Sequence, residues 1–442
     1  MKSPLAGIRR VFDTTVPLNT LNAVNHTFRS LRHRNYRLFF LGQGISLVGT
    51  WMQLIAVNWL VYRLSSSVFL LGVVGFASRI PTFLLAPVAG VLADRWNRHR
   101  LLILIQSLAM VQAFVFSFLV LSGAITVWLI ILLGLFLGCV NSFDIPVRQT
   151  FVLDMLENKE DLGNAIALNS SLVNGARLLG PTIAGVLIAL MGEGMCFFIN
   201  GVSYIAVIEA LFAMRIVPRQ TEEDRTGLIQ NLKEGFSYTF GFRPIRDILL
   251  LLSLVSLMGM PYVTLMPVFA RDILHGGSHT FGFLMGATGI GALIGAMYLA
   301  SRKTVIGLGQ VIAVATCVFG MGLAAFSFSR LQWLSLLLMV LTGFGMMVQM
   351  AASNTFLQTV ADDEKRGRVM SFYTVAFMGM TPFGSLLAGW LANWIGVQGT
   401  VFLSGIFCAI GGLIFASRLP GLYEKIRPVY EKKGIASQGK TL

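Results

Sequence analysis

The chain reads as an all-α polytopic membrane protein, with twelve transmembrane helices in two six-helix, pseudo-symmetric bundles. Three observations predict this. Of 442 residues, 55% are hydrophobic and only 12% are charged, about half the charged share of a soluble domain. The apolar residues gather into twelve runs, each near or above the ~20 residues that cross ~30 Å of hydrocarbon. Basic residues sort to one side: 29 of the 34 lysines and arginines fall in the N-terminal tail, the even-numbered connections and the C-terminal tail. The positive-inside rule makes that side the cytoplasm, so both termini are expected there, in a cell (inner or plasma) membrane. The net charge of +14 is then a topology signal and a contact with the anionic lipid bilayer, not a nucleic-acid footprint.

Residues 1–37 are basic and lack an apolar core, unlike a secretory signal peptide. They are read as a cytoplasmic tail with a surface helix near Phe28–Tyr36. The N-terminal bundle covers 38–214, with spans at 38–63, 69–93, 101–122, 127–147, 163–190 and 195–214. The first span carries Gln43, Ser46, Thr50 and Gln53 at steps of three or four, so they share a face. The second ends in the run Gly90–Arg100, GVLADRWNRHR. There Gly90 permits close helix approach, Asp94 stands at the interface near Arg95 and Arg98, and Asn97 supplies a residue that tolerates a left-handed turn. The fourth span presents Asn141, Asp144 and Arg148 on adjoining turns. The fifth repeats the polar stripe with Ser170, Asn174 and Arg177. Glu209 in the sixth is read as structural.

The connection 215–246 is the longest internal polar stretch and is expected to be a cytoplasmic loop between the bundles. The C-terminal bundle covers 247–417, with spans at 247–270, 280–300, 305–328, 332–357, 369–392 and 399–417, followed by a cytoplasmic tail at 418–442. A weak internal repeat supports the division. Gln149–Glu157 and Asn354–Asp362 occupy equivalent places at the ends of the fourth and tenth spans, Gly138 matches Gly343 at the same offset, and Gly185 answers to Gly389 within one residue. Parallel halves of this kind are a known transporter plan. Ser301 stands where the first half has Asp94, so the acidic hairpin is one-sided.

Several chemistries are set aside. The four cysteines lie within spans without metal-type spacing, no histidine lies in a span, and His275 and His279 are separated by Gly276 and Gly277. Gly434–Thr441 fits the phosphate-loop pattern, but that pattern needs a strand before it and a helix after it. Neither ATP, a cofactor, a metal nor enzymatic catalysis is expected.

The hairpin Gly90–Arg100 resembles the signature of the major facilitator superfamily, with Asn97 where glycine is usual. Ala176–Gly185, with Gly180 and Pro181, looks like the glycine-proline motif of its antiporters, with Ala184 replacing one glycine. Phe143–Gln149 and Asn164–Ser170 look like the branch that holds enterobactin exporters and macrolide efflux proteins. The resemblance implies proton-driven export of a small amphipathic molecule, siderophore-like or drug-like, by alternating access. In that frame Gly90, Asp94, Arg95, Arg98, Gly180 and Pro181 serve gating and conformational change. Gln43, Thr50, Gln53, Arg79, Asn174, Arg177 and Gln349 are the substrate-cavity candidates. Methionines in the tenth and eleventh spans, among them Met339, Met346, Met350 and Met378, would give an adaptable apolar wall or simply pack.

Arg79 and Arg177 stand about 21 Å above the cytoplasmic ends of their spans, at ~1.5 Å per residue. An unrelieved charge there costs ~2.5–3.5 kcal/mol on insertion scales. They either line a water-filled cavity and attract an anionic substrate group, or, for Arg177, form a structural pair with Asp144. Asp144 is the proton-coupling candidate, because desolvation disfavours a buried carboxylate's charged form, with Arg148 opposing that effect. An ion pair that holds the cytoplasmic gate is a compatible reading. Two other functions stay open: proton-coupled import of a small organic anion, and a transport-dead sensor or scaffold.

Overall fold

The computed structural model describes residues 28–85, 89, 96–216, 236–302, 304–362 and 365–433. Gly90, Asp94 and Arg95 of the hairpin lie outside these, as does Gly434–Thr441. Every regular element among the described residues is helical. In order they are α1 (Arg34–Ser65), α2 (Val68–Leu85), α3 (Arg98–Leu121), α4 (Val127–Phe151), α5 (Leu162–Met191), α6 (Glu193–Ala213), α7 (Arg243–Ile273), α8 (Ser278–Ser301), α9 (Leu308–Phe328) and α10 (Gln332–Val360). α11 (366–395) and α12 (397–432) run together through a bend at Gly396, whose φ of 75° and ψ of 166° only glycine adopts without strain. We call the face where α1 begins the near face and its opposite the far face.

Local chemistry sets the ends and breaks. Thr126 caps α4 by accepting the Leu129 amide, and Ser67 caps α2 through the Leu70 amide. Asn97 does the same for α3, taking the Arg100 amide at 3.1 Å. Its φ of −65° and ψ of 106° are extended, not the left-handed turn expected from its residue type. α2 breaks at Ser78–Arg79, because Pro81 lacks an N–H and its ring clashes with the carbonyl four residues back. α7 and α11 widen to π geometry at Val255–Gly259 and Val375–Gly379, just before Pro261 and Pro382. α12 does not stop at 417. Leu419, Leu422, Ile426 and Tyr430, at helical spacing, bury one side of its extension, and the helix runs to Lys432.

The apolar core changes from one face to the other. Toward the far face Ile55, Leu60 and Phe197 of the first half and Phe269, Phe281 and Phe319 of the second belong to one continuous core. Toward the near face the core divides. Tyr36, Leu102, Val147 and Phe151 pack only within the first half, and Ile248, Phe356, Leu357 and Tyr430 only within the second. The halves therefore join on the far side and part toward the near side.

Candidate transport site between the two halves

Two pseudo-equivalent crossings hold the far side shut. Gly185 of α5 backs onto Gly282 of α8, and Gly72 of α2 backs onto Gly389 of α11. Ser278 strengthens the first by donating to the Gly185 carbonyl at 3.1 Å. Phe383 of α11 strengthens the second by meeting Phe76 and Phe83 edge-on. At the far rim the Tyr62 hydroxyl donates to Asp272, Arg271 lies 5.6 Å over the Tyr62 ring, and Trp59 stacks on Phe281. Tyr62, Trp59, Arg63 and Arg271 line a small far-face cavity of about 250 Å³. Arg63 is held within its own half by Glu193, at 2.7 and 3.2 Å.

One face of α5 shows how the halves separate. Leu178, Thr182 and Gly185 pack on α8. Asn174, one turn nearer the near face on the same side, is half-exposed, and Ser170 and Ser171 are exposed. α11 behaves alike: Ser385 and Gly389 pack on α2, whereas Ser371, Thr374 and Met378 are exposed. The uncovered stretches form the walls of a cleft open at the near face.

Arg177 stands at the head of this cleft. Its Nη2 donates to the Met346 thioether at 3.4 Å, and its guanidinium lies 5.6 Å over the Trp51 ring. Tyr262 of α7 lies within electrostatic range of it across the halves. The Tyr262 hydroxyl is buried, beside Thr288, and has no partner at hydrogen-bond geometry among the described residues. No carboxylate pairs with Arg177 among the described residues, and Asp144, the partner considered from the sequence, is committed elsewhere. A thioether is a weak acceptor, so Arg177 keeps most of its donor capacity. Arg79 sits at the α2 break, on the side that also carries Gly72, Gly75 and Phe83. Its Nη1 donates to its own helix, to the Gly75 carbonyl at 3.4 Å.

Asp144 is 6% exposed and both its oxygens are engaged. Arg148 bonds one at 2.9 Å, and Gln106 of α3 donates to the other at 2.8 Å. The pair lies one turn apart on α4, toward its near end.

Residues 25–430 match the family described as transmembrane secretion effector. The chain belongs to that family, a branch of the major facilitator superfamily. It is 27% identical over 373 residues to the staphyloferrin A transporter of Staphylococcus aureus, a match covering 84% of this chain and 92% of that one. It is 24% identical over 394 residues to the multidrug efflux pump Tap of Mycobacterium tuberculosis, covering 87% and 91%. Among solved structures, the nucleoside transporter NupG superposes with a TM-score of 0.67 at 12% identity, over 88% of this chain and 99% of that one. A bacterial homologue of the human lysosomal transporter Spinster gives 0.69 at 14%, over 89% and 98%. The protein is thus a multi-pass membrane transporter of small molecules.

Within this major facilitator fold the remaining candidates separate. Gln53 is not on the cleft. Its amide donates to Gln112 of α3 at 3.0 Å and its carbonyl accepts from Asn200 of α6 at 2.7 Å, so it staples three helices of one half. Thr50 and Asn174 bond the carbonyls one turn back, of Ser46 and Ser170. Gln43 and Gln349 are 3% and 1% exposed, and Gln43 Oε1 and Gln349 Nε2 lack hydrogen-bond partners among the described residues. Gly180 packs on Trp51 and the Val48 carbonyl, and the Pro181 carbonyl lies against Gly282, which puts that pair at the α1 and α8 contacts of α5. Arg98 reaches Asp154 at 3.5 Å, beside the near end of α4. Sequence reasoning did not single out Trp51, Tyr62, Gln106, Gln112, Asn200, Tyr262 or Asp272. Gln106, Gln112 and Asn200 were open to detection as polar residues in apolar spans. Tyr62, Tyr262 and Asp272 carry no signal until the halves are docked.

Proposed function

We propose that the protein exports a small amphipathic anion, siderophore-like or drug-like, in exchange for protons across the cytoplasmic membrane. The observation that carries this is Arg177: a mid-depth cation between the halves, flanked by Trp51 and Met346 and free of a carboxylate partner among the described residues. A ligand with one anionic group and an aromatic or aliphatic body matches those neighbours. The arginine and lysine bias makes the near face cytoplasmic, so the open cleft is the state that loads from inside. The similar staphyloferrin A transporter and multidrug pump Tap bracket the substrate class. Asp144 with Arg148 is the coupling pair: protonation of the carboxylate removes the charge that holds Arg148, and the near end of α4 is freed to move. Gly180, Pro181 and the hairpin with Gly90, Asp94, Arg95 and Arg98 would accommodate that motion.

Inside-out membrane vesicles provide the test. An acid interior should drive accumulation of the compound, and an ionophore that collapses the gradient should stop it. Accumulation that ignores the gradient would remove proton coupling. Uptake only by right-side-out vesicles with an acid exterior would instead assign import of a small organic anion.

A further inference from the structure

We infer that the near end of α7 and the turn of α12 around Arg418 form a seat for the phosphate of an anionic phospholipid headgroup. Asp247, 2% exposed in its side chain, is ringed by three arginines: Arg243 Nε at 3.8 Å, Arg246 Nε at 3.5 Å and Arg418 Nη1 at 3.8 Å. One carboxylate against three guanidiniums leaves a local excess of two positive charges. The separations exceed the ~2.7–2.9 Å of a charge-assisted bond, and only Arg246 Nε, at 3.5 Å, forms a long hydrogen bond to the carboxylate, so Asp247 gathers the three side chains while taking up one of their donors. Each guanidinium has five N–H groups, and the three side chains are 49%, 40% and 47% exposed. The contrast within the same molecule is Asp144, where one arginine closes to 2.9 Å.

What favours a lipid over a free phosphate is the surface beside the arginines. Leu250, three residues further along α7, is 51% exposed, and Ile414, four residues before Arg418, is 48% exposed. At ~1.5 Å per residue both lie about 5 Å deeper. They flank the crossing where Gly411 of α12 takes Leu254 of α7. A charged rim thus passes directly into exposed apolar surface, the order in which a phosphate headgroup passes into its acyl chains. A free phosphate would use the first feature alone.

The test is thermal unfolding of the full-length protein with added phosphatidylglycerol, phosphatidylcholine or inorganic phosphate. Phosphatidylglycerol should raise Tm, and phosphatidylcholine should not. In Arg246→Gln/Arg418→Gln the half-saturating lipid concentration should rise at least ten-fold. Arg427→Gln, which removes an arginine paired with Glu431 at 2.9 Å, should leave it unchanged. Where the double variant does not fold, Arg418→Gln alone should shift the midpoint at least three-fold. An unchanged midpoint in the folded variants, or an equal response to phosphatidylcholine, would overturn the seat. An equal response to inorganic phosphate would overturn its assignment to lipid.

Discussion

A β-carbon on Gly185 of α5 would stand 2.8 Å from the Gly282 Cα of α8, and one on Gly282 would stand 2.7 Å from the Gly185 Cα. Gly72 and Gly389 repeat the approach at 2.9 and 2.8 Å. Both crossings join the two halves on the far side, so they exist only while that side is shut, and a transporter that alternates must break them. Gly185→Val is therefore expected to lower the near-open population ten-fold or more, since it penalises one state and not the other. A cysteine at Ser170, in a background lacking the four native cysteines, reports the change as slower labelling from the near face. Gly175→Ala, where a β-carbon meets nothing within 4 Å, is the control. Wild-type labelling in Gly185→Val would show that the crossing does not gate.

Tyr62→Phe removes the hydroxyl that reaches Asp272 across the far rim but keeps the ring under Arg271. The far-shut state loses one charge-assisted hydrogen bond, worth about 1.5–3 kcal/mol before solvent screening. The variant should therefore populate the far-open state more, with faster labelling of a cysteine at Trp59 from the far face and little change in unfolding temperature. A fall in unfolding temperature without a labelling change would make the contact merely structural.

Gln53→Ala should destabilise the first half without touching substrate affinity. The substitution strands the Gln112 and Asn200 side chains that bond it at 3.0 and 2.7 Å, and buried groups left unpaired cost about 1–3 kcal/mol each. Unfolding in denaturant measures the loss. A large change in apparent substrate affinity with unchanged stability would return Gln53 to the cleft.

Gln53 also shows where the sequence stops being informative. Twelve apolar spans follow from hydropathy and charge placement, because the bilayer imposes them on each helix separately, and the two halves follow from the long polar connection 215–246 and the matched stretches Gln149–Glu157 and Asn354–Asp362. The polar stripe on α1 was equally visible, but its destination was not. A stripe says that residues share a face, and Gln53 turned toward α3 and α6 because Gln112 and Asn200 offered it both a donor and an acceptor. Asp144 and Arg148, one turn apart on one helix, were legible as neighbours. The Tyr62 bond to Asp272 and the nearness of Arg177 to Tyr262 span the halves, and such neighbours depend on how two bundles dock, which no local pattern encodes. The extension of α12 was missed for a simpler reason: its polar composition hid a short apolar stripe of Leu419, Leu422, Ile426 and Tyr430.

Asp144 and Arg148 should respond differently to removal. Asp144→Asn keeps an oxygen for the Gln106 amide and is expected to fold, with transport that no longer varies with the imposed pH gradient. Arg148→Ala leaves a carboxylate with a 9% exposed side chain whose remaining hydrogen-bond partner among the described residues is Gln106, and stranding a buried charge of this kind costs about 3–5 kcal/mol. Its unfolding midpoint should fall accordingly. Gradient-driven transport by Asp144→Asn at the wild-type rate would move proton coupling to another group.

Arg177 and Tyr262 give the sharpest separation between substrate binding and structure. The guanidinium has a thioether at 3.4 Å and an indole at 5.6 Å, so Arg177→Gln removes no ion pair among the described residues and should fold normally. Apparent affinity for an anionic substrate should weaken at least ten-fold, about 1.4 kcal/mol, while a neutral analogue of the same shape loses little. Arg177→Lys should recover part of the affinity, because the charge returns without the planar fork. Tyr262→Phe, which deletes a buried hydroxyl with no partner at hydrogen-bond geometry among the described residues, should leave stability unchanged or raised and weaken the same anion by a smaller factor. Equal losses for the anion and its neutral analogue in Arg177→Gln would mean that the arginine shapes the cleft rather than reads the charge.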